Sequence, residues 1–377
     1  MNKPLQILIT GDTHLGGGRV KELAISNNYQ ELFGEFIDII RSSDLALTNL
    51  ESPLIDDGNT IQKIGPNLKS PVKSIRVLKK VGFNLATLAN NHIMDYGEQG
   101  LLATLSACKG VDIDTVGAGT NQEEATQTYN FCPQSTKISI INIAENEFGT
   151  TFENTPGAHA LNLAQNYTKI REAARKADFV LVIVHGGHEG YQLPSPRMKE
   201  TYRFFVEAGA SAVIGHHPHC YSGYELYKEA PIFYSLGNFL FDKKGKTDSS
   251  WNQGFMVVLS IVEHKLEFEI IPYIQNSEEV GVRSLHQEEY SSFNNQLSKL
   301  NAIINNDKEL HERFREFCES SRNMYSAFIE PHANKYIHAL RNRNLFPSML
   351  GRRKKRMFLN LIRCEAHRDV LLNILQE

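Results

Sequence analysis

Between residues 5 and 272 the apolar positions keep two rhythms. Short continuous runs at Leu5–Thr10, Leu45–Leu50, Phe83–Leu88, Ile138–Ile143, Phe179–Val184, Ala212–Ile214 and Ile232–Ser235 read as buried strands. Helical spacing predicts helices over Tyr29–Arg41, Val72–Val81, Gly97–Lys109, Leu161–Ala177 and Arg197–Ala208. Ser52–Pro71, rich in Gly, Pro and Asn, reads as a loop. Strands of this continuous type, alternating with helices, predict an α/β fold whose sheet is covered on both faces. Gly254–Ile261 and Leu266–Pro272 read as a closing hairpin. After Pro272 the strand signal stops, and Tyr290–Ile304, Lys308–Phe328, His332–Asn342 and Arg353–Leu375 read as helices. The expected organisation is a body over residues 1–285 and a basic helical C-terminal extension over 286–377.

Composition narrows the class. A chain of 377 residues holds one large domain with an appendage, or two domains. With 41% hydrophobic and 22% charged residues it is neither wholly disordered nor a fibrous repeat. No apolar run approaches the ~20 residues of a membrane-spanning helix. Leu5–Thr10 is too short for a signal-peptide core, so a cytoplasmic protein without a transmembrane segment is expected. The five cysteines are scattered without a CxxC pair, which excludes a disulfide framework and a thiolate zinc site as expectations. The net charge of −3 hides an asymmetry: residues 333–377 carry ten Lys/Arg and three Asp/Glu, a charge of +7, which leaves −10 on the rest.

The chemistry is concentrated just past the carboxyl ends of the strands. Six strands run into Gly11-Asp12-Thr13-His14, Asn49-Leu50-Glu51, Asn90-Asn91-His92 with Asp95, His185-Gly-Gly-His188-Glu189, Gly215-His216-His217-Pro218-His219 and Leu236-Gly237-Asn238. In open α/β sheets that edge is where ligands bind. His nitrogens with Asp, Glu and Asn oxygens suit divalent Zn, Mn or Fe. Asp12, His14, Glu51, Asn91, His185, His217 and His219 are too many ligands for one tetrahedral ion. Two ions ~3.5–4 Å apart sharing a carboxylate would use them, and a water between such ions loses a proton near neutral pH and becomes a nucleophile for hydrolysis. In His217-Pro218-His219, extended backbone would point both imidazoles at one cluster. His92, with Asp95 within reach, suits a proton donor to the leaving group or a transition-state stabiliser.

Together with Ala89-Asn-Asn-His-Ile-Met-Asp-Tyr-Gly97 and Ser235-Leu-Gly-Asn-Phe239, these motifs resemble the poly-γ-glutamate capsule synthesis (PGA_cap, CapA-type) family. That family is a branch of the calcineurin-like metallophosphoesterases. The resemblance covers roughly residues 5–272 and implies a four-layer α/β/β/α sandwich with a dinuclear site on its edge. By similarity, Asp12 and His14 hold the first ion, and Glu51 takes the place of a bridging Asp. Asn91 and His185 hold the second ion, with His217 on the second and His219 on the first. His92 matches the catalytic histidine, supported by Asp95, while Asn90, His188, Glu189, His216 and Asn238 lie beside the ligands or face the substrate. Gly186 stands where the family often has an aromatic residue, leaving that spot open. Family members are often membrane-anchored at the N-terminus, and this chain shows no such anchor.

The expected activity is metal-dependent hydrolysis of an anionic small molecule or polymer, either a phosphoester or a γ-glutamyl chain. The alternatives are a non-catalytic scaffold in capsule polymer synthesis or export, and a nuclease guided by the basic tail. Lys243, Lys244, Lys246 and Arg283 are placed where they could meet an anion or remain solvated. The run Arg352-Arg-Lys-Lys-Arg356 opens an amphipathic helix suited to docking on the body, to self-association or to an acidic partner.

Overall fold

The computed structural model describes residues 4–151, 153–247, 249–329, 345 and 351–375, so the helix expected over His332–Asn342 lies outside the described residues. In chain order its first half contains β1 (Leu5–His14), α1 (Val20–Ile25), α2 (Tyr29–Phe33), α3 (Ile37–Ser42), β2 (Leu45–Leu50), α4 (Ile75–Val81), β3 (Leu85–Thr87), α5 (Gly97–Lys109), β4 (Asp114–Val116), β5 (Ala118–Gly119), α6 (Gln122–Ala125), β6 (Tyr129–Phe131), β7 (Ile138–Ala144), β8 (Gly157–Ala158), α7 (Leu163–Ala174) and β9 (Phe179–His185). There follow α8 (Pro196–Ala208), β10 (Ala212–His216), β11 (Tyr224–Tyr227), β12 (Ala230–Phe233), β13 (Asn238–Phe241), β14 (Gln253–Val262), β15 (Lys265–Gln275), β16 (Val282–Ser284), α9 (Gln287–Ile304), α10 (Asp307–Ile329), α11 (Arg352–Arg363) and α12 (Glu365–Leu375).

Two large sheets form among the described residues, beside a small pairing of β5 with β8, where the apolar rhythm alone indicated one. The first runs β16-β15-β14-β1-β2-β3-β4 with β13 also on β1, and the second runs β11-β12-β10-β9-β7-β6. Strands β1 to β4 are mutually parallel, while β14 to β16 are antiparallel. Period-2 alternation explains the layering. Ile7, Ile9, Leu45, Leu47, Val257 and Leu259 join the core shared with the second sheet. Their neighbours Leu8, Ala46, Met256 and Val258 instead pack with apolar residues of α1 to α5. Ile170 of α7 and Met198, Tyr202 and Phe205 of α8 cover the second sheet. The result is a four-layer α/β/β/α sandwich with a C-terminal helical extension.

Local chemistry breaks two expected helices. The helix read over 29–41 is interrupted at Gly34, whose φ of 45° and ψ of −125° leave the helical region. The helix read over 353–375 breaks at Cys364, which has an extended ψ of 122° although no Gly or Pro is present. There tertiary bonds override propensity: Glu365 accepts from Asn146 N–H at 3.0 Å and from Asn146 Nδ2 at 2.8 Å. Among the described residues no helix is long and apolar enough to cross a membrane.

Candidate metal centre

Register places the polar residues. Asp12 pairs with Asn49 of β2 and Asn238 of β13, and its N–H donates to Gly237 O at 3.0 Å. In the other sheet His185 and His216 are register partners. The two carboxyl edges meet around the Asp12 carboxylate. Asn49 Nδ2 donates to its Oδ1 at 2.7 Å and the His217 N–H donates to its Oδ2 at 3.1 Å. His216 Nδ1 lies 3.0 Å from Oδ1. Burial pushes the Asp12 carboxyl up, but the His216 hydrogen bond and the nearby imidazoles outweigh it and hold the group well below the usual range.

Glu51 lies at the middle. Its N–H donates to Thr13 O at 2.9 Å, which fixes the chain, yet both side-chain oxygens are buried and accept no hydrogen bond among the described residues. Burial, with the charges of Asp12 and Glu189 added, pushes its carboxyl well above the ordinary value. A buried carboxylate without donors costs several kcal/mol. Imidazole nitrogens surround it: His185 Nε2 is 3.5 Å and His219 Nε2 3.6 Å from Oε1. Ligand-type atoms of Asp12, Glu51 and His219 lie within 4.8 Å of one another, as do those of Glu51, His185 and His217. His217 Nδ1 and Asn91 Oδ1 each lie 3.1 Å from His185 Nε2. Orphaned oxygens and facing imidazoles fit a cation, and Glu51 is common to both groups.

The two histidines reach this cluster by a route other than the expected extended segment. His217 has φ 97° and His219 φ 56°, both in the left-handed region. Such backbone costs about 1–3 kcal/mol per residue and concentrates at functional sites. It sets the two rings 5.9 Å apart between centroids, and Asn238 holds His219 from behind, with 2.9 Å from Oδ1 to Nδ1.

His92 Nδ1 is 2.6 Å from Asp95 Oδ2, and the His92 N–H donates to Asn90 Oδ1 at 3.1 Å. The Leu68 N–H donates to the same Asp95 oxygen at 2.6 Å. Lys63, whose side chain is only 3% exposed, pairs with Asp95 Oδ1, and its Nζ lies 3.0 Å from His92 Nδ1. Asp95 orients the ring while Lys63 balances its charge.

The remaining expected residues occupy distinct places. His14 is in neither ligand group: its Nδ1 meets Ser52 Oγ at 3.1 Å, its ring lies 5.0 Å from Phe241, and burial pushes its pKa down to about 3. His188 turns toward the C-terminal helices, where its Nε2–H donates to Ala366 O at 2.8 Å and its ring meets Phe314 and Phe317. Glu189 sits on the wall of the cavity beside His92 and His217. Although desolvation raises its carboxyl, His217, His219 and His92 hold it below the ordinary value. Lys243 lies over the Trp251 ring, whose centroid is 4.7 Å from that of His219, while Arg283 is engaged by Glu289. The spot at Gly186 is filled: a Cβ there would lie 2.6 Å from Glu145 Cγ.

Sequence reasoning missed Asn49, Lys63 and Glu147 as site residues. Glu147 accepts from Asn91 Nδ2 at 3.2 Å and its Oε1 is 3.8 Å from His217 Nε2. It follows β7, so the strand-end rule applied to the other strands would have found it. Lys63 carried no signal, lying in an irregular loop.

A family model described as bacterial capsule synthesis protein PGA_cap matches residues 6–243. The chain belongs to the PGA_cap family. It is 33% identical over 256 residues to the capsule biosynthesis protein CapA of Bacillus anthracis, covering 64% of this chain and 61% of that protein. It is 33% identical over 247 residues to the PGA biosynthesis protein CapA of Bacillus subtilis, covering 63% and 64%. A probable polyglutamine synthesis accessory protein of Mycobacterium tuberculosis is 26% identical over 229 residues, covering 56% and 60%. The matched stretch spans about three-fifths of the length of these curated relatives. Every member of the two groups that share Glu51 falls inside the PGA_cap match, whereas α9 to α12 fall outside it, as do Cys364 and His367, which form a third such group with Glu147.

Proposed function

We propose that this PGA_cap protein is a metal-dependent hydrolase that holds two divalent cations, Mn, Fe or Zn, and acts on an anionic substrate, a phosphoester or a γ-glutamyl chain. The observation that carries the reading is Glu51, whose unpartnered oxygens are shared by the Asp12–His219 and His185–His217 groups. When bound, such cations supply Lewis acidity and a nucleophile from water at neutral pH. Asp12, Glu51 and His219 would hold one, and Glu51, His185, His217 and Asn91 the other. His14, bonded through Nδ1 to Ser52, would stand behind the first. Asn49, Asn238 and the His217 N–H fix the orientation of the ligands. His92, steered by Asp95, is the group placed to give a proton to a leaving oxygen or nitrogen or to stabilise charge developing there. A pure scaffold in capsule polymer assembly has no need of the buried Lys63–Asp95–His92 relay, which favours catalysis.

Elemental analysis of protein purified with Mn²⁺ or Zn²⁺ tests the reading. About two equivalents per chain are expected, with hydrolysis found in a panel of phosphomonoesters, phosphodiesters and poly-γ-glutamate. His92→Ala should keep the metal and lose about 10²–10⁴-fold in turnover. Protein that takes up no metal under replete conditions removes the proposal.

A further inference from the structure

The C-terminal helices lie against the proposed centre. A cavity of about 270 Å³ is floored by Asn91, His92, Glu147 and His217 of the sandwich. Its opposite wall is made by Phe317 of α10 and by Met357, Asn360 and Leu361 of α11, all outside the PGA_cap match. These helices have their own apolar cluster, including Phe314, Cys318, Leu361 and Val370. They are fastened to the sandwich by polar bonds: Ser195 Oγ donates to Asp369 at 2.9 Å, Arg197 Nε donates to Asp369 at 2.8 Å, and His188 donates to Ala366 O. Arg356, in the basic first turns of α11, bonds Gln62, next to Lys63.

One side of this cavity is therefore ligand-type and polar, and the other sets an apolar patch of Phe317, Met357 and Leu361 beside Ser321, the bonded Tyr325–His367 pair and one unsatisfied group. Asn360 is 9% exposed, and its side-chain oxygen has no partner among the described residues. An all-polar polymer would leave the apolar wall unmatched and dehydrate its own carboxylates against it. A small molecule with an anionic head and one ring or short alkyl group matches both sides. The volume lies just below the usual range for small-molecule sites, which leaves room for a group of that size and little more.

We propose that α10 and α11 complete the substrate pocket of this protein and select a small amphipathic anion, its charged head toward His92 and His217 and its apolar group against Phe317, Met357 and Leu361. This rests on the metal-centre reading above. It assigns to the C-terminal helices a role in specificity that the family match does not reach.

Calorimetry on the full chain loaded with Mn²⁺ tests it, with phenylphosphonate and methylphosphonate as probes and metal content measured on the same samples. Burial of the ring should make phenylphosphonate bind at least about tenfold more tightly. Met357→Ala and Leu361→Ala should each reduce that preference several-fold, leaving methylphosphonate binding and metal content unchanged. Metal-loaded protein that binds the two probes within twofold overturns the pocket while leaving the metal centre in place. Variants that weaken both probes equally also overturn it, because the helices would then act on the fold and not on the ligand. Protein that loads no metal fails at the earlier step, and both readings fall together.

Discussion

At the scale of single residues, the decisive feature is a carboxylate that no hydrogen-bond donor reaches among the described residues. Glu51 is fully buried and unsatisfied, so in metal-free protein it opposes folding, and with cations bound it becomes the shared ligand. Glu51→Gln should therefore change sign with metal. After chelation the variant should melt above the parent, and in Mn²⁺ it should melt below it with less than one equivalent bound. Equal shifts in both conditions would show that Glu51 has no metal role. Lys63 and Asp95 make a second test. Lys63→Met leaves Asp95 as an uncompensated buried charge, a loss of about 3–5 kcal/mol by denaturant titration. Adding Asp95→Asn should recover much of it. Asp12, the His-Pro-His histidines and His185 were legible because each lies at or just past the carboxyl end of a strand. Lys63 was not, because it sits in an irregular loop and its partner lies 32 residues further on, beyond α4 and β3, so that only tertiary structure joins them. The His-Pro-His geometry was illegible for another reason: sequence supplies no signal that two non-glycine residues adopt positive φ.

At the scale of elements, the long apolar strands and the amphipathic helices declared themselves, and β2 and α5 fall on the expected residues 45–50 and 97–109. Four of the short strands did not, although β3 and β12 lie within or overlap apolar runs that did. β4 and β6 have three residues each, and β11 and β13 four, too few to show a period. They are strands because their neighbours supply the ladder. The break at Cys364 likewise follows from what α12 binds. Two groups of that contact respond to pH in opposite senses: burial, against the attraction of Arg197, pushes the Asp369 carboxyl up to about 6, so its contribution favours the folded chain as pH falls, while that of His188 does the reverse. Burial pushes the His188 pKa down to about 4, with Glu145 opposing that shift and Arg197 and His367 adding to it. An unfolded His titrates near 6.5. Between about pH 6.5 and 4 the unfolded chain therefore binds a proton at this histidine that the folded one does not, and the His188 contribution to stability falls as pH falls, by about 3 kcal/mol. His188→Gln should remove that contribution, so that the stability of the variant relative to the parent rises as pH falls across the window, read from denaturation midpoints. A constant difference between the two would place the dependence elsewhere.

At the scale of the whole molecule, two cores differ in how they are joined. The α9 residues Phe293, Leu297 and Leu300 belong to the core between the sheets, so this helix is part of the sandwich by packing although the strand signal ends before it. The Phe314–Ile374 cluster is separate, and much of its attachment passes through Arg197. Its Nη2 donates to Glu145 at 2.6 Å and its Nε to Asp369 at 2.8 Å, tying the end of β7 to α12. Arg197→Met would leave two largely buried carboxylates without their cation, a loss on the order of 3–5 kcal/mol. That loss should fall on the attachment, since the inter-sheet core keeps all its apolar contacts. Hydrogen exchange should then quicken throughout α12 and in α11, while β1, β9, β10 and α9 keep their protection, and the melt should divide into two steps. Asp369→Asn in the same chain should restore part of the protection of α12 by removing one of the stranded charges. Uniform acceleration across sheets and helices, with a single transition, would mean that the C-terminal helices and the sandwich unfold as one body.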